Sequence, residues 1–321
     1  MKTSANILFL DVLPEDEIMV KKKFPGANII GRALSDGAIV KAGVDTEILC
    51  LSYRCKLDKN AIAGLKNLKL IVTRSVGYDH IDLAAAKARK IPVCNVPDYG
   101  AHVISEFVFA LLLSGLRQIP SGDNQVETSK AFSSAGLRGI ALKGKTLGLI
   151  GTGRIGANVA RIASLGFLMN VIAYDAKPNK ELAETNHFRY ARLDTVLKQA
   201  DIISLHCPLL PTTKNLINSK SLALTKKGVI IVNTSRGGII DTKALVKAIK
   251  AKRVSHAFLD VLEHENDLTK ERELIRLPQV ITTPHIAFFA DDSISKMYES
   301  AFNTISSFLN KKPIPGLISG I

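Results

Sequence analysis

Residues 146–156 read Thr146-Leu-Gly-Leu-Ile-Gly-Thr-Gly-Arg-Ile-Gly156. The first five are an apolar run suited to a buried strand, and Gly151-x-Gly153-x-x-Gly156 follows at once. Here the first glycine permits a tight turn, the second lets backbone approach a pyrophosphate, and the third allows close helix–strand packing. Ala157, Val159, Ala160 and Ile162 mark the helix, whose N-terminus would offer unpaired N–H groups and a positive dipole end to an anion. Arg154 adds a cation. A second strand, Val171–Tyr174, ends at Asp175, about twenty positions on, where a carboxylate would accept bonds from ribose hydroxyls and repel a 2′-phosphate. The bare glycine pattern is equally compatible with an empty tight turn. Strand, helix and terminal acid together predict a bound dinucleotide, NAD rather than NADP.

The same alternation runs outward through the whole chain. Strands are expected at Ile7–Leu10, Ile48–Leu51, Leu70–Thr73, Val93–Val96, Thr146–Ile150, Val171–Tyr174, Ile202–Leu205, Val229–Asn233 and Val280–Thr282. Several lack polar alternation, as strands covered on both faces do. Helices are expected at Val103–Leu116, Ala157–Leu165, Thr242–Ala251 and Ser293–Leu309, with Asp241 placed to cap the third. The fold class is α/β with parallel sheets. Pro97-Asp98-Tyr99-Gly100 reads as a hinge between two sets of strands, and a Gly- and Ser-containing connection follows the helix ending at Leu116.

Composition narrows the function. With 46% hydrophobic residues in 321, the chain can bury about three-quarters of its unfolded surface. The net charge of +14 is spread along the chain, and even Lys21-Lys22-Lys23 lacks interleaved aromatics. We read solvated helix faces, and a positive field suited to anionic ligands, rather than a nucleic-acid surface. Cys50, Cys55, Cys94 and Cys207 show neither CxxC spacing nor a disulfide framework, so no metal site is expected and a reducing compartment is. The first apolar run stops at Asp11 and Glu106 interrupts the best membrane candidate, so the expectation is a cytoplasmic protein without membrane contact.

Three later residues fall just beyond strand ends: Arg236 after Val229–Asn233, Asp260 after the segment His256–Leu259, and His285 after Val280–Thr282. Open α/β sheets bind ligands there. Arginine grips a carboxylate bidentately. Histidine exchanges protons near neutral pH, and a carboxylate such as Glu265 beside it would favour imidazolium. Singly, each has a duller reading: a surface ion pair for Arg236, a cap or core residue for His285, a solvated acidic loop for Glu265.

Val232-Asn-Thr-Ser-Arg236-Gly-Gly, Leu259-Asp260-Val261 and Thr283-Pro-His285 resemble signatures of the D-isomer-specific 2-hydroxyacid dehydrogenase family. The resemblance covers almost the whole chain, from Ser75-Val-Gly-Tyr-Asp-His-Ile-Asp82 through Asn95-Val-Pro-Asp-Tyr99 to Ala287. It implies two Rossmann-like domains, a flavodoxin-like substrate domain (1–98 plus 288–321) and an NAD-binding domain (99–287) inserted into it, with a cleft between and a homodimer. It implies catalysis by Arg236 as substrate binder, His285 as general acid/base and Glu265 as its partner. It implies NAD contacts from Gly151, Gly153, Arg154, Ile155, Gly156, Asp175, Cys207, Pro208, Thr213, Thr234 and Asp260. Substrate would meet the N–H groups of Val76 and Gly77, with Tyr99 and Phe288. Tyr99 and His285-Ile-Ala-Phe288-Phe289 look most like D-lactate dehydrogenases, implying pyruvate as the 2-oxo acid. Alternatives are a glyoxylate/hydroxypyruvate reductase, a short-form phosphoglycerate dehydrogenase, and an NAD(H)-sensing corepressor-like protein. The chain departs from common family patterns at Asn266, where proline often follows the glutamate, and at Phe258, where a small residue is usual.

Overall fold

Each strand whose partners are known pairs in parallel, in one of two sheets. The computed structural model describes residues 5–129 and 132–318 and divides the chain into Met1–Tyr99 with Ala290–Ile321, and Gly100–Phe289. Against the boundaries expected from sequence, Tyr99 joins the first unit and Phe288 and Phe289 the second. The Phe288 ring meets both His285 and Phe289 edge-on, which ties the two phenylalanines to the inserted unit.

The first unit alternates β1 (Ile7–Leu10), α1 (Glu17–Lys23), β2 (Asn28–Ile30), α2 (Asp36–Ala42), β3 (Ile48–Leu51), α3 (Lys59–Gly64), β4 (Leu70–Thr73), α4 (Leu83–Ala88) and β5 (Val93–Cys94). Its sheet order is β2-β1-β3-β4-β5, the flavodoxin-like arrangement that reverses between β1 and β3. Every residue of β1, β3 and β4 is buried, which is why these strands read as unbroken apolar runs. Strand β2 is a half-exposed edge with too little apolar signal to read. Strand β5 ends at Cys94 rather than Val96, because the Asn95 N–H turns to the Gly316 carbonyl and that of Val96 to Ser75.

The second unit carries α5 (Ala101–Leu116), α6 (Ile119–Ser129), β6 (Thr146–Ile150), α7 (Arg154–Arg161), β7 (Asn170–Tyr174), α8 (Lys180–Thr185), β8 (Arg189–Tyr190), α9 (Leu193–Gln199), β9 (Ile202–Leu205), α10 (Ser219–Leu224), β10 (Val229–Asn233), α11 (Thr242–Lys250), β11 (Val254–Leu259), α12 (Arg272–Ile275) and β12 (Val280–Thr282). The order β12-β11-β10-β9-β6-β7-β8 reverses between β6 and β9, as in dinucleotide-binding sheets. Ser255 and His256 interrupt the apolar run of β11, so only its last residues stood out in sequence. Helix α6 replaces the expected irregular connection. Gln118, at φ 53°, turns the chain into it, and the α5–α6 pair is bent by 50°. Among the described residues no single helix is long and apolar enough to cross a membrane.

Phe258 explains itself by what faces it. It is fully buried, and a Cβ at Gly115 of α5 would lie 2.2 Å from its ring. A small residue on the helix has made room for a large one on the strand. The expected helix from Ala157 starts earlier, at Arg154, and its last turn, Ile162–Gly166, winds as a π-helix. Helix α13 (Asp291–Leu309) belongs to the first unit. There Phe302 packs edge-on against Phe9 and Phe24, and Leu317 bridges Cys94.

Candidate active site

Register brings the C-terminal ends of six strands of the second unit into one row. Tyr174 pairs with Ile150, Ile150 with Leu205, Leu205 with Asn233, Asn233 with Leu259, and Leu259 with Thr282. Gly151, Asp175, Cys207, Thr234, Arg236, Asp260 and His285 lie within three residues of that row, on the edge where such sheets bind ligands.

At the glycine turn, Gly151 has φ 96°, and a Cβ there would come 2.6 Å from the Cys207 nitrogen. A Cβ on Gly156 would lie 2.2 Å from the Gly151 carbonyl oxygen, so the helix is seated directly on the turn. Gly153 is different: nothing lies within 4 Å of its missing Cβ. That glycine keeps space open at the N-cap of α7, where no side chain caps the helix. Arg154 and Ile155 form the first turn, and the Ile155 carbonyl accepts from Ser105 Oγ at 3.3 Å. Open space beside uncapped N–H groups fits a pyrophosphate.

Asp175 is held by residues that the sequence did not single out. Its Oδ2 accepts from the Thr152 N–H at 2.7 Å and Oγ1 at 2.9 Å, and Oδ1 from the Lys177 N–H at 2.9 Å. Partial burial opposes ionisation, but donors from Lys177, Thr152 and Ala176 outweigh it and hold the carboxyl below its ordinary range. Thr152 Oγ1 also meets the Tyr190 hydroxyl at 2.8 Å, and that hydroxyl accepts from the Asn179 N–H at 3.1 Å. Because Thr152 spends its proton on Asp175, Tyr190 is the donor to Thr152.

Beyond β9, His206 Nε2 meets Ser204 Oγ at 2.8 Å, and burial pushes this imidazole down to about 4. Burial pushes the Cys207 thiol up to about 11, so Cys207 contributes shape and backbone rather than a thiolate. Its carbonyl accepts from Ser235 Oγ at 2.5 Å. Thr213 Oγ1 donates to the Pro208 carbonyl at 2.6 Å and accepts from the Leu210 N–H at 2.8 Å, which folds the exposed loop back on itself. Thr234 is 8% exposed, and its Oγ1 is buried without a partner. An orphaned hydroxyl costs about 1–3 kcal/mol, and a polar group of a bound cofactor would satisfy it.

The Arg236 turn is built by Asn233, whose Oδ1 accepts from the Ser235 N–H at 3.0 Å and whose Nδ2 donates to the Arg236 carbonyl at 2.9 Å. Arg236 Nη1 donates to the Ser235 carbonyl at 2.9 Å. A Cβ on Gly237 would lie 1.9 Å from the Leu262 backbone, so this turn abuts the Glu265 loop.

Asp260 has a role that its sequence motif did not reveal. It is 1% exposed. Its Oδ1 accepts from Thr283 Oγ1 at 2.5 Å and the Ile286 N–H at 2.9 Å, and Oδ2 from the Ala287 N–H at 2.9 Å. Together with the His285 N–H, which donates to the Asp260 carbonyl at 2.9 Å, these bonds shape the loop that carries His285. That loop puts His285 at φ 57°, a strained conformation for a residue with a Cβ. His285 Nδ1 meets Glu265 Oε2 at 3.1 Å, with the histidine side chain only 15% exposed. Glu265 is the more open member of the pair, its side chain 37% exposed.

Val76, Gly77 and Tyr99 lie in the first unit. Ser75 Oγ donates to the Gly77 carbonyl at 2.6 Å and Asn95 Nδ2 to the Val76 carbonyl at 2.7 Å. Thr73 Oγ1 meets Ser75 Oγ at 2.7 Å and His80 Nε2 at 3.0 Å. Since Ser75 donates onward, so does Thr73, and His80 carries its proton on Nε2. Val76 is 40% exposed, whereas Tyr99 is buried.

Comparison with known proteins agrees with this architecture. The family model for the NAD binding domain of D-isomer specific 2-hydroxyacid dehydrogenases matches residues 109–287. A 2-hydroxyacid dehydrogenase homolog of Schizosaccharomyces pombe is 40% identical over 276 residues, 82% of each chain. An aromatic 2-oxoacid reductase of Clostridium sporogenes is 37% identical over 265 residues, 78% of this chain and 79% of the relative. The crystal structure of a D-lactate dehydrogenase from Aquifex aeolicus, complexed with NAD and lactic acid, matches with a TM-score of 0.87 and 31% identity over 95% of this chain and 96% of that one. With its two parallel sheets and its glycine turn, the chain belongs to the D-isomer specific 2-hydroxyacid dehydrogenases, NAD-binding oxidoreductases acting on CH–OH groups.

Proposed function

We propose that the protein interconverts a small 2-oxo acid and its D-2-hydroxy acid, with pyruvate and D-lactate as the favoured pair. The observation that carries this reading is the Glu265 Oε2–His285 Nδ1 contact at 3.1 Å, on a histidine held at positive φ by Asp260. When bound, the nicotinamide supplies or accepts the hydride at the substrate's second carbon. Arg236 binds the carboxylate and polarises the carbonyl. His285, with Nδ1 committed to Glu265, exchanges the proton of the substrate oxygen through Nε2. Glu265 engages Nδ1 and so orients the ring that presents Nε2. Arg154, Ile155 and the glycines hold the pyrophosphate, Asp175 the ribose, and Cys207, Pro208, Thr213, Thr234 and the remaining acceptor position of Asp260 line the path to the nicotinamide.

By the family resemblance the N–H groups of Val76 and Gly77 and the side chain of Tyr99 are substrate-binding candidates on the first unit, and Phe288 is one on the second. Phe288 supports an apolar side chain, since its ring centroid stands 6.4 Å from that of His285. We also place the protein in the cytoplasm as a homodimer. Four buried free thiols suit a reducing compartment. Ile119, Val126 and Phe132, the last 98% exposed, offer apolar surface for a second copy.

The test is NADH oxidation with pyruvate, 2-oxobutyrate, glyoxylate, hydroxypyruvate, phosphohydroxypyruvate and phenylpyruvate, for wild type and His285→Ala. The expected outcome is highest kcat/KM on pyruvate and a loss of about 10²–10⁴ in turnover for His285→Ala. Preference for a hydroxylated, phosphorylated or aromatic acid would reassign the substrate. Tight NADH binding with no turnover of any acid would replace the enzyme reading with a corepressor-like one.

A further inference from the structure

We propose that Glu271 is a positioning residue: its buried carboxylate fixes the loop that carries Glu265, and through it the Glu265–His285 pair. This rests on the acid/base reading above. Glu271 is 0% exposed, and a carboxylate so buried persists only where donors surround it. Those donors come from two places. The Thr242 hydroxyl, at the start of α11, donates to Oε2 at 3.2 Å. His264 donates to Oε1 twice, from its N–H at 2.9 Å and from Nδ1 at 2.8 Å.

His264 immediately precedes Glu265, so gripping both its amide and its ring holds the residue next to Glu265 at two points. Glu265 has weak anchorage of its own on this loop, an N–H from Leu262 at 3.4 Å to Oε1. The neighbouring Glu263 anchors the same segment by accepting the Thr242 N–H at 3.2 Å. The Gly237 turn closes against Leu262 and Glu263 from the other side. Asn266 brings no ring to fix φ after Glu265, and the Glu271 clamp supplies that stiffness from below. Although ligand atoms of Glu263, His264 and Glu271 lie within 4.8 Å of one another, the Glu271 oxygens already accept N–H and O–H donors. Hydrogen bonding accounts for the cluster.

The experiment compares Glu271→Gln and His264→Ala, each alone and combined with Glu265→Gln. It measures kcat, KM for pyruvate and the NADH dissociation constant by fluorescence titration. A glutamine keeps the volume of Glu271 and can keep its oxygen on His264 with the Thr242 hydroxyl turned to accept, but it loses the charge that strengthens both His264 bonds; His264→Ala removes one of those bonds and leaves the backbone N–H on Glu271. We expect kcat to fall about tenfold in either variant, since small misplacements of reacting groups carry costs up to about 10². KM and NADH affinity should stay within about twofold, and the loss should shrink below about twofold in the Glu265→Gln background. Equal losses in both backgrounds, matching losses of NADH affinity, or unchanged kcat would overturn the proposal while the acid/base reading stands. A silent Glu265→Gln would instead remove that reading, and this proposal with it.

Discussion

Replacing Asp260 by asparagine exchanges one acceptor oxygen for a donor while keeping shape. The native carboxylate accepts three hydrogen bonds, two on Oδ1 and one on Oδ2. The less damaging orientation of the amide keeps its oxygen toward Thr283 and Ile286. Its NH2 then faces the Ala287 N–H, a donor on a residue 3% exposed. A hydrogen bond to a charged group contributes about 1.5–3 kcal/mol, and an orphaned buried donor costs about 1–3 kcal/mol. Because these overlap, we expect a net loss of about 2–4 kcal/mol. That matches or exceeds the roughly 1–3 kcal/mol stored by a residue at positive φ, so His285 is free to relax. Urea unfolding without cofactor or substrate isolates the structural effect from any contact with nicotinamide. We expect a lower midpoint at unchanged slope and a fall in kcat of about 10². Stability within about 0.5 kcal/mol of wild type together with kcat within about threefold would refute the role assigned to Asp260.

Two further outcomes test the fold around the site. Gly115→Ala should destabilise by about 1–2 kcal/mol, because overpacking against Phe258 exceeds the gain in helix propensity. With Phe258→Leu the same change should become neutral or stabilising, and a thermal-unfolding cycle reads that reversal; additive effects would contradict the contact. His206 gives a pH signature. Its folded value, about 4, lies below the ordinary 6.5, so stability present above pH 6.5 is lost as pH falls toward 4, where the unfolded chain binds the proton first. Partial exposure limits the loss to no more than about 3 kcal/mol, and His206→Gln should lack this slope in urea midpoints taken between pH 7 and 4.

The glycine turn was legible because its requirements are local. A strand, a positive φ, an approach to phosphate and a helix start all fall within a dozen residues. The fully buried strands were legible for a similar reason, since burial on both faces leaves apolar runs such as Ile48–Leu51 and Val229–Asn233. Edge and interrupted strands were not. Strands β2, β8 and β11 are defined by pairing with neighbours distant in sequence, and half-exposed residues or a Ser-His pair blur their pattern. Helix α6 hides behind Pro120, Gly122 and a polar composition that predicts a loop.

Sequence alone determined the fold class and NAD as the cofactor, because buried strands and glycine geometry are properties of short segments. Tertiary structure decided how the candidate site residues are held: Asp260 under the His285 loop, Thr152 and Tyr190 behind Asp175, Gly115 opposite Phe258, Glu271 beneath His264. Each is a contact between side chains whose separation in the fold depends on sheet register and packing. No short stretch of residues encodes that distance.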